Sequence, residues 1–286
     1  MGEGLQAVIL GIIEGLTEFL PVSSTGHMII AMPLLGVDGD VPQWKVFLYF
    51  IQIGAILAVI LYFWRQLWNQ VITPILAVIL YYWRRLWRRA ATWPTGNWRN
   101  QLLTKIVVAA VPAAVIGFPL DKLLEKYLEN PQTVGIALIA GAGVMVWIER
   151  RANSGRTTSI DDISLKQAFL IGLSQCVAAI PGTSRAMATI MGGLVVGLTA
   201  PVAAEFSFYL AIPTLFGAGL LRLVKYREAL NGQSVAVLGL GFSVAFFVAL
   251  LVIAAFMKYI QTRKLWPFAV YRVALGVAVL AWWFSR

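Results

Sequence analysis

Glu14 and Glu18 stand four residues apart in an otherwise apolar stretch, so on a helix both project from one face. Two carboxylates sharing a buried face cannot both stay ionised cheaply. Either one keeps a proton or a cation sits between them. Pro21 ends the helix, and Ser23, Ser24, Thr25 and Gly26 then supply hydroxyls and backbone N–H groups at the start of the next one. A helix start is a ready anion site, because its first N–H groups are unpaired and the helix dipole favours negative charge. His27 falls in that first turn, where it can exchange a proton near neutral pH.

A second apolar run is broken much later in the chain by Pro181-Gly182-Thr183-Ser184-Arg185, followed by Thr189. The guanidinium of Arg185 keeps its charge at any depth, and its planar fork suits phosphate oxygens. The alternative for it is a structural ion pair with Glu14 or Glu18. An ionisable residue at bilayer depth costs about 2.5–3.5 kcal/mol on insertion scales, which makes it a functional expectation by default. The carboxylate pair suits a hard divalent cation, Mg²⁺ or Ca²⁺. With the hydroxyls, the histidine, the arginine and two helix starts, the set reads as a phosphate-handling site, since phosphoryl transfer needs mainly charge stabilisation and positioning.

The elements that must position these residues are membrane helices. Of 286 residues, 59% are hydrophobic and 13% charged, and the mean hydropathy is +0.78. A soluble domain is nearer about 25% charged, so the chain is expected to be polytopic. One cysteine and one histidine exclude an internal disulfide and a zinc cluster of those ligands. The net charge of +10 would suggest a nucleic-acid partner in a soluble chain. Here the bases cluster between apolar spans, as topological charge does, and no nucleic-acid partner is expected. The N-terminal run does not read as a cleavable signal peptide, because it opens with Glu3 and carries Glu14 and Glu18.

Apolar runs long enough to cross lie near 45–64, 102–120, 131–148, 203–221, 235–257 and 266–284. The connection from Arg65 to Lys105 carries Arg84, Arg85, Arg88, Arg89 and Arg99 with no acid, and is expected on the cytoplasmic side. Alternation then puts both termini outside, with a basic loop around Arg222, Lys225 and Arg227 on the outer face against the trend. The two polar-broken segments, 5–36 and 166–198, each read as helix, break and short helix. Irregular backbone at membrane depth survives only inside protein or along a water-filled cavity, so both are expected to be re-entrant hairpins. The predicted fold is all-α, with six spans and two re-entrant hairpins. The first repeat covers 1–148 and the second 166–286. An odd number of spans per repeat inserts them in opposite orientation and brings the breaks face to face near the midplane. Ala7, Gly11, Pro21 and Ser24 align with Ala168, Gly172, Pro181 and Ser184 after a one-residue change of offset. A near-copy of 56–68 recurs at 75–87 and is expected to lie as an amphipathic helix on the cytoplasmic surface. A site inside the bilayer implies a lipid-linked phosphate as substrate.

At Glu14–His27 (E-G-L-T-E-F-L-P-V-S-S-T-G-H), at Pro181–Arg185 (P-G-T-S-R) and at Glu205–Pro213 (E-F-S-F-Y-L-A-I-P), the chain resembles the bacterial undecaprenyl-pyrophosphate phosphatase family, also known for bacitracin resistance. The resemblance implies hydrolysis of undecaprenyl pyrophosphate to the monophosphate and inorganic phosphate, which regenerates the lipid carrier for peptidoglycan. It also implies a divalent cation, a place in the bacterial cytoplasmic membrane, and a site open to the outer side. Carried onto this chain, it assigns Glu14 and Glu18 to the metal or to the attacking group. Ser24 becomes the nucleophile with His27 as its acid/base partner, while direct attack by His27 stays open. Arg185, Ser184 and Thr189 hold the pyrophosphate, with Ser23, Thr25, Gly26, Gly182 and Thr183 around it. Partners are the polyprenyl pyrophosphate and membrane lipids, and a homodimer is left open. The family usually has Ser where Ala186 stands, and often Gly at Met187. A lipid-phosphate flippase built on the same repeat is the competing reading.

Overall fold

The computed structural model describes residues 2–39, 41–72, 101–117, 130–152, 155–225, 228 and 235–285, and these are helical with no strand among them. Five helices are long and apolar enough to cross a membrane: α3 (Pro42–Tyr62), α6 (Pro131–Arg151), α9 (Ala200–Lys225), α10 (Val235–Ile260) and α11 (Trp266–Phe284). The chain is therefore a multi-pass membrane protein. The sixth expected span, near 102–120, is described over α5 (Leu102–Pro112) and a π-turn over Ala113–Gly117, and its last residues lie outside the described ones. Pro112 brings no N–H to the helix ladder, and a wider turn at this point accommodates the missing bond. The expected surface helix at 75–87, the arginine cluster within it and the connection 118–129 lie outside the described residues.

Both polar-broken segments fold as helix, break and helix. The first consists of α1 (Glu3–Thr17) and α2 (Ser24–Leu34). The second consists of α7 (Leu165–Gln175), prolonged by a 3₁₀ turn over Cys176–Ala179, and α8 (Arg185–Val195). Ser23 and Ser184 cap α2 and α8, each accepting a hydrogen bond from a backbone N–H of the first turn. Among the described residues they are the only non-glycine positions with positive φ, at 71° and 73°. Such backbone is costly outside glycine and persists only where the surroundings fix it. This shared geometry corrects the alignment read from sequence. Ser184 corresponds to Ser23 rather than Ser24, at the same spacing of 161 that separates Ala7 from Ala168 and Gly11 from Gly172. At that spacing Pro21 falls opposite Gly182, so the prolines alone stay one residue out of step. Ser24 thus falls opposite Arg185, and Glu14 opposite Gln175.

Each hairpin leans its first helix on a helix distant in the chain, α1 on α10 and α7 on α5. The glycines permit the approach. A Cβ on Gly11 would meet the Gly241 carbonyl oxygen at 2.7 Å, and one on Gly172 would overlap the Ala109 carbonyl. Because the obstacle at Gly172 is backbone, it cannot swing aside. Gly172→Val is expected to cost about 1–3 kcal/mol or more as overpacking, read as a lower thermal midpoint in detergent. Gly239→Ala, which faces open space, should leave the midpoint unchanged or slightly higher. Equal midpoints for the two variants would contradict this packing.

Candidate active site

The two breaks meet. Arg185, the first residue of α8, places a guanidinium nitrogen 3.3 Å from Oε1 of Glu18, just past the end of α1. The pair is almost wholly buried, with the side chains 10% and 5% exposed. The second terminal nitrogen of Arg185 donates to the Ser207 carbonyl at 3.2 Å and contacts the Ser207 hydroxyl at 3.4 Å. The guanidinium also lies 5.6 Å above the ring of Phe19, which is held edge-on by Phe208 at 5.5 Å. A cation over an aromatic face gains electrostatic attraction, so Arg185 is fixed from three sides. The ion-pair alternative foreseen for Arg185 is thus realised with Glu18.

Glu18 is shared. Its other oxygen, Oε2, accepts a hydrogen bond of 2.7 Å from the Ser24 hydroxyl. Glu14, one turn earlier, is 5% exposed, and its carboxylate makes no hydrogen bond or ion pair among the described residues, although Glu18 and Arg185 lie within its electrostatic reach.

His27 is positioned differently from the expectation. Its Nδ1 lies 2.7 Å from the Ser23 carbonyl and its Nε2 2.7 Å from the Tyr271 hydroxyl, with the two rings stacked at 5.6 Å. A carbonyl only accepts, so Nδ1 carries the proton, and in the neutral ring Nε2 accepts from Tyr271. No hydrogen bond joins His27 to Ser24 among the described residues. The hydroxyl's partner is Glu18 and the imidazole braces the Ser23 turn.

A cavity of about 590 Å³ opens over these groups. Its floor holds Glu18, Ser23, Ser24 and Thr25 from the first hairpin, and Gly182, Ser184 and Arg185 from the second. One wall is apolar, with Ala110, Ala113, Ala114 and Ala179, and Arg222 and Tyr49 also face the cavity, bonded to each other. The remaining expected contacts stand behind this lining. Thr189 is fully buried and lies 2.6 Å from the Ser207 hydroxyl while bonding the Arg185 carbonyl at 2.9 Å. Gly26 donates its N–H to Ser23 at 3.3 Å. Thr183 is buried and turns its carbonyl to Arg272. Ala186 is fully buried, so the hydroxyl it lacks relative to the resembling family falls in packed interior.

Arg272, on α11, escaped the sequence reading. It is 0% exposed and donates to five carbonyls: Pro21 in the first break, Gly182 and Thr183 in the second, and Ala137 and Leu138 on α6. Gly141 leaves room for it, since a Cβ there would overlap the guanidinium. The signal was present, as an arginine within an apolar span is costly by the same rule that flagged Arg185. Ser207 lay inside the quoted stretch Glu205–Pro213 without a role assigned to it, and Tyr271 had no mark, being an ordinary polar residue in an apolar helix.

The residues present would supply a cation with only part of its ligands. Among the described residues no three His, Cys, Asp or Glu side chains cluster as metal ligands. A hard cation with phosphate ligands needs only one or two carboxylates, and Glu14 is a buried oxygen donor without another partner.

The family model of the bacitracin resistance protein BacA matches residues 7–75 and 71–278, two stretches that overlap at 71–75, where the second of the duplicated copies begins. The undecaprenyl-diphosphatase of Novosphingobium aromaticivorans is 42% identical over 282 residues, covering 97% of each chain. Undecaprenyl-diphosphatase 1 of Chromobacterium violaceum is 42% identical over 280 residues, 98% of this chain and 96% of the relative. The undecaprenyl-diphosphatase of Pseudomonas syringae pv. tomato is 40% identical over 278 residues, 97% of this chain and 93% of its own.

Proposed function

Starting from a chain that belongs to the BacA family of bacitracin resistance proteins, we propose that it hydrolyses undecaprenyl diphosphate to undecaprenyl phosphate and inorganic phosphate. The reaction returns the lipid carrier to peptidoglycan synthesis and accounts for bacitracin resistance. The observation that carries the mechanism is the chain Ser24–Glu18–Arg185 on the floor of the cavity.

In this reading the Ser24 oxygen attacks the terminal phosphorus while its proton passes to Oε2 of Glu18 along the 2.7 Å bond. The bridging P–O bond breaks and undecaprenyl phosphate leaves; water then attacks the phosphorus, the P–O bond to Ser24 breaks, and Glu18 returns its proton to the Ser24 oxygen as phosphate departs. Arg185 faces the phosphoryl oxygens with donors that no carboxylate fully occupies, and Ser184 and Thr25 line the same floor. Thr189 and Ser207 hold Arg185 in place from behind. His27 fixes the backbone turn that presents Ser24. Glu14, with Glu18, would hold the Mg²⁺ or Ca²⁺, which when bound neutralises phosphate charge. The apolar wall suits the first isoprene units of the tail. Transport alone calls for no hydroxyl bonded to a carboxylate, so the geometry favours hydrolysis over a flippase. The proposal extends to a six-span inverted repeat with two re-entrant hairpins, seated in the bacterial inner membrane with the cavity toward the periplasm.

The purified protein is expected to release one phosphate per undecaprenyl diphosphate with Mg²⁺ or Ca²⁺, and to stop on addition of EDTA. Folded protein that releases none with either cation would sink the reading.

A further inference from the structure

Two buried side-chain atoms have no hydrogen-bond partner among the described residues, Nε of Arg185 and Oε1 of Gln175. Both residues line the same cavity. Gln175 ends α7 and is only 7% exposed. Native proteins leave few buried polar atoms unpaired, and each calls for a partner that is absent or a role that needs it free. A buried amide beside an apolar wall gains nothing by itself, since Ala110, Ala113, Ala178 and Ala179 line the same cavity without such a cost.

The chemistry of the missing partner follows from the pair. The Nε–H of Arg185 is a charged donor, so it needs an acceptor. The amide of Gln175 presents an oxygen, or two N–H donors after rotation of its end. A phosphate group satisfies both, because it accepts from the guanidinium and the amide and, when singly protonated, also donates to the amide oxygen. The spacing that pairs Ser23 with Ser184 places Gln175 opposite Glu14. One hairpin therefore carries acids at Glu14 and Glu18, and the other carries the neutral Gln175 and the cation Arg185. An acid in place of Gln175 would repel a polyanionic head, whereas an amide binds it without charge.

We propose that Gln175 is a further binding residue for the diphosphate head, acting beside the Nε–H of Arg185. The proposal deepens the hydrolase reading and rests on it for the identity of the substrate, but the phosphate contact itself can be tested apart from turnover. The experiment measures the thermal midpoint of the detergent-solubilised protein with and without inorganic pyrophosphate, alongside KM for undecaprenyl diphosphate. The variants are Gln175→Met, which keeps the shape, and Gln175→Glu, which adds charge.

Pyrophosphate should stabilise the wild type. For Gln175→Met its half-saturating concentration and KM should both rise about tenfold, and for Gln175→Glu more, with kcat changed less than about threefold. Without pyrophosphate, Gln175→Met should melt no lower than wild type, because it removes an unpaired buried oxygen. A structural glutamine would do the opposite. Wild-type pyrophosphate affinity and KM in both variants, or a lowered midpoint with unchanged affinity, would overturn the assignment while leaving the hydrolase intact. Turnover without any pyrophosphate protection of the wild type would also overturn it. Absence of both turnover and protection would remove the hydrolase reading together with it.

Discussion

Arg185→Ala is expected to lower phosphate release from undecaprenyl diphosphate by at least about 10³-fold. An arginine stabilising a transferring phosphoryl group is worth about 10³–10⁵ in rate, and Arg185 is the charged donor on the cavity floor, beside the Ser24 hydroxyl. The substitution also strands Glu18, which is 6% exposed and would then be a buried carboxylate without its counter-charge. Breaking a buried pair from one side costs about 3–5 kcal/mol. Activity would then fall for two reasons, and a second variant separates them. Glu18→Gln combined with Arg185→Met removes both charges and should recover most of the thermal midpoint. It should stay inactive, because Ser24 has lost its proton acceptor and the phosphate its cation. Arg185→Lys keeps a charge but cannot span Glu18 and Ser207 together, so it should fall between. Retention of more than a tenth of wild-type turnover by Arg185→Ala would remove Arg185 from the reaction.

Arg272→Met should produce the largest loss of stability of any substitution considered, at least about 4 kcal/mol. Two effects oppose each other at this residue. An isolated buried charge is costly, and replacing it with an apolar chain of similar length relieves that cost. Against this stand five carbonyl acceptors, three of them in the non-helical breaks at Pro21, Gly182 and Thr183. Hydrogen bonds to charged groups contribute about 1.5–3 kcal/mol each, and a buried carbonyl left without its donor costs about 1–3 kcal/mol. Five such bonds outweigh the desolvation of one delocalised cation. The breaks also hold Ser23 and Ser184 in unfavourable backbone, and releasing them would spoil the presentation of Ser24 and Arg185. Limited proteolysis should therefore find new cleavage near both breaks, alongside the lower midpoint and loss of turnover. Arg272→Lys, with three donors on one point, should recover only part. A wild-type midpoint for Arg272→Met would show that the breaks stand without it.

What the sequence made legible was chemistry that violates its surroundings. Glu14, Glu18 and Arg185 announce themselves because acids and an arginine do not belong in apolar runs, and Pro21 and Pro181 mark where helices must end. Long spans were equally plain from hydropathy, and five of the six expected are helices long and apolar enough to cross. Pairing was not legible. Nothing in the order of residues says that Ser24 turns to Glu18 while His27 turns to Tyr271, since both choices satisfy the same local pattern and are decided by the approach of α11. The correspondence of the two halves was read one residue off for a similar reason. Prolines align by type, whereas the cap serines align by backbone angle, which is invisible until the chain is folded. Arg272 was concealed by context, as one basic residue in a long apolar span was absorbed into the span.

The two sides of the Glu18–Arg185 pair are 167 residues apart in the chain, and this sets a timetable for biosynthesis. At about 5–20 residues per second, the ribosome needs roughly 10–30 s to make Arg185 after Glu18 has left it. Throughout that interval the first hairpin holds two acids with no cation to meet them. Its settling into the bilayer must therefore await the second, and the carbonyls of both must await Arg272, made 87 residues after Arg185. The site is accordingly locked last, by α11, and a nascent chain released short of that helix would carry every reacting group and still have no site.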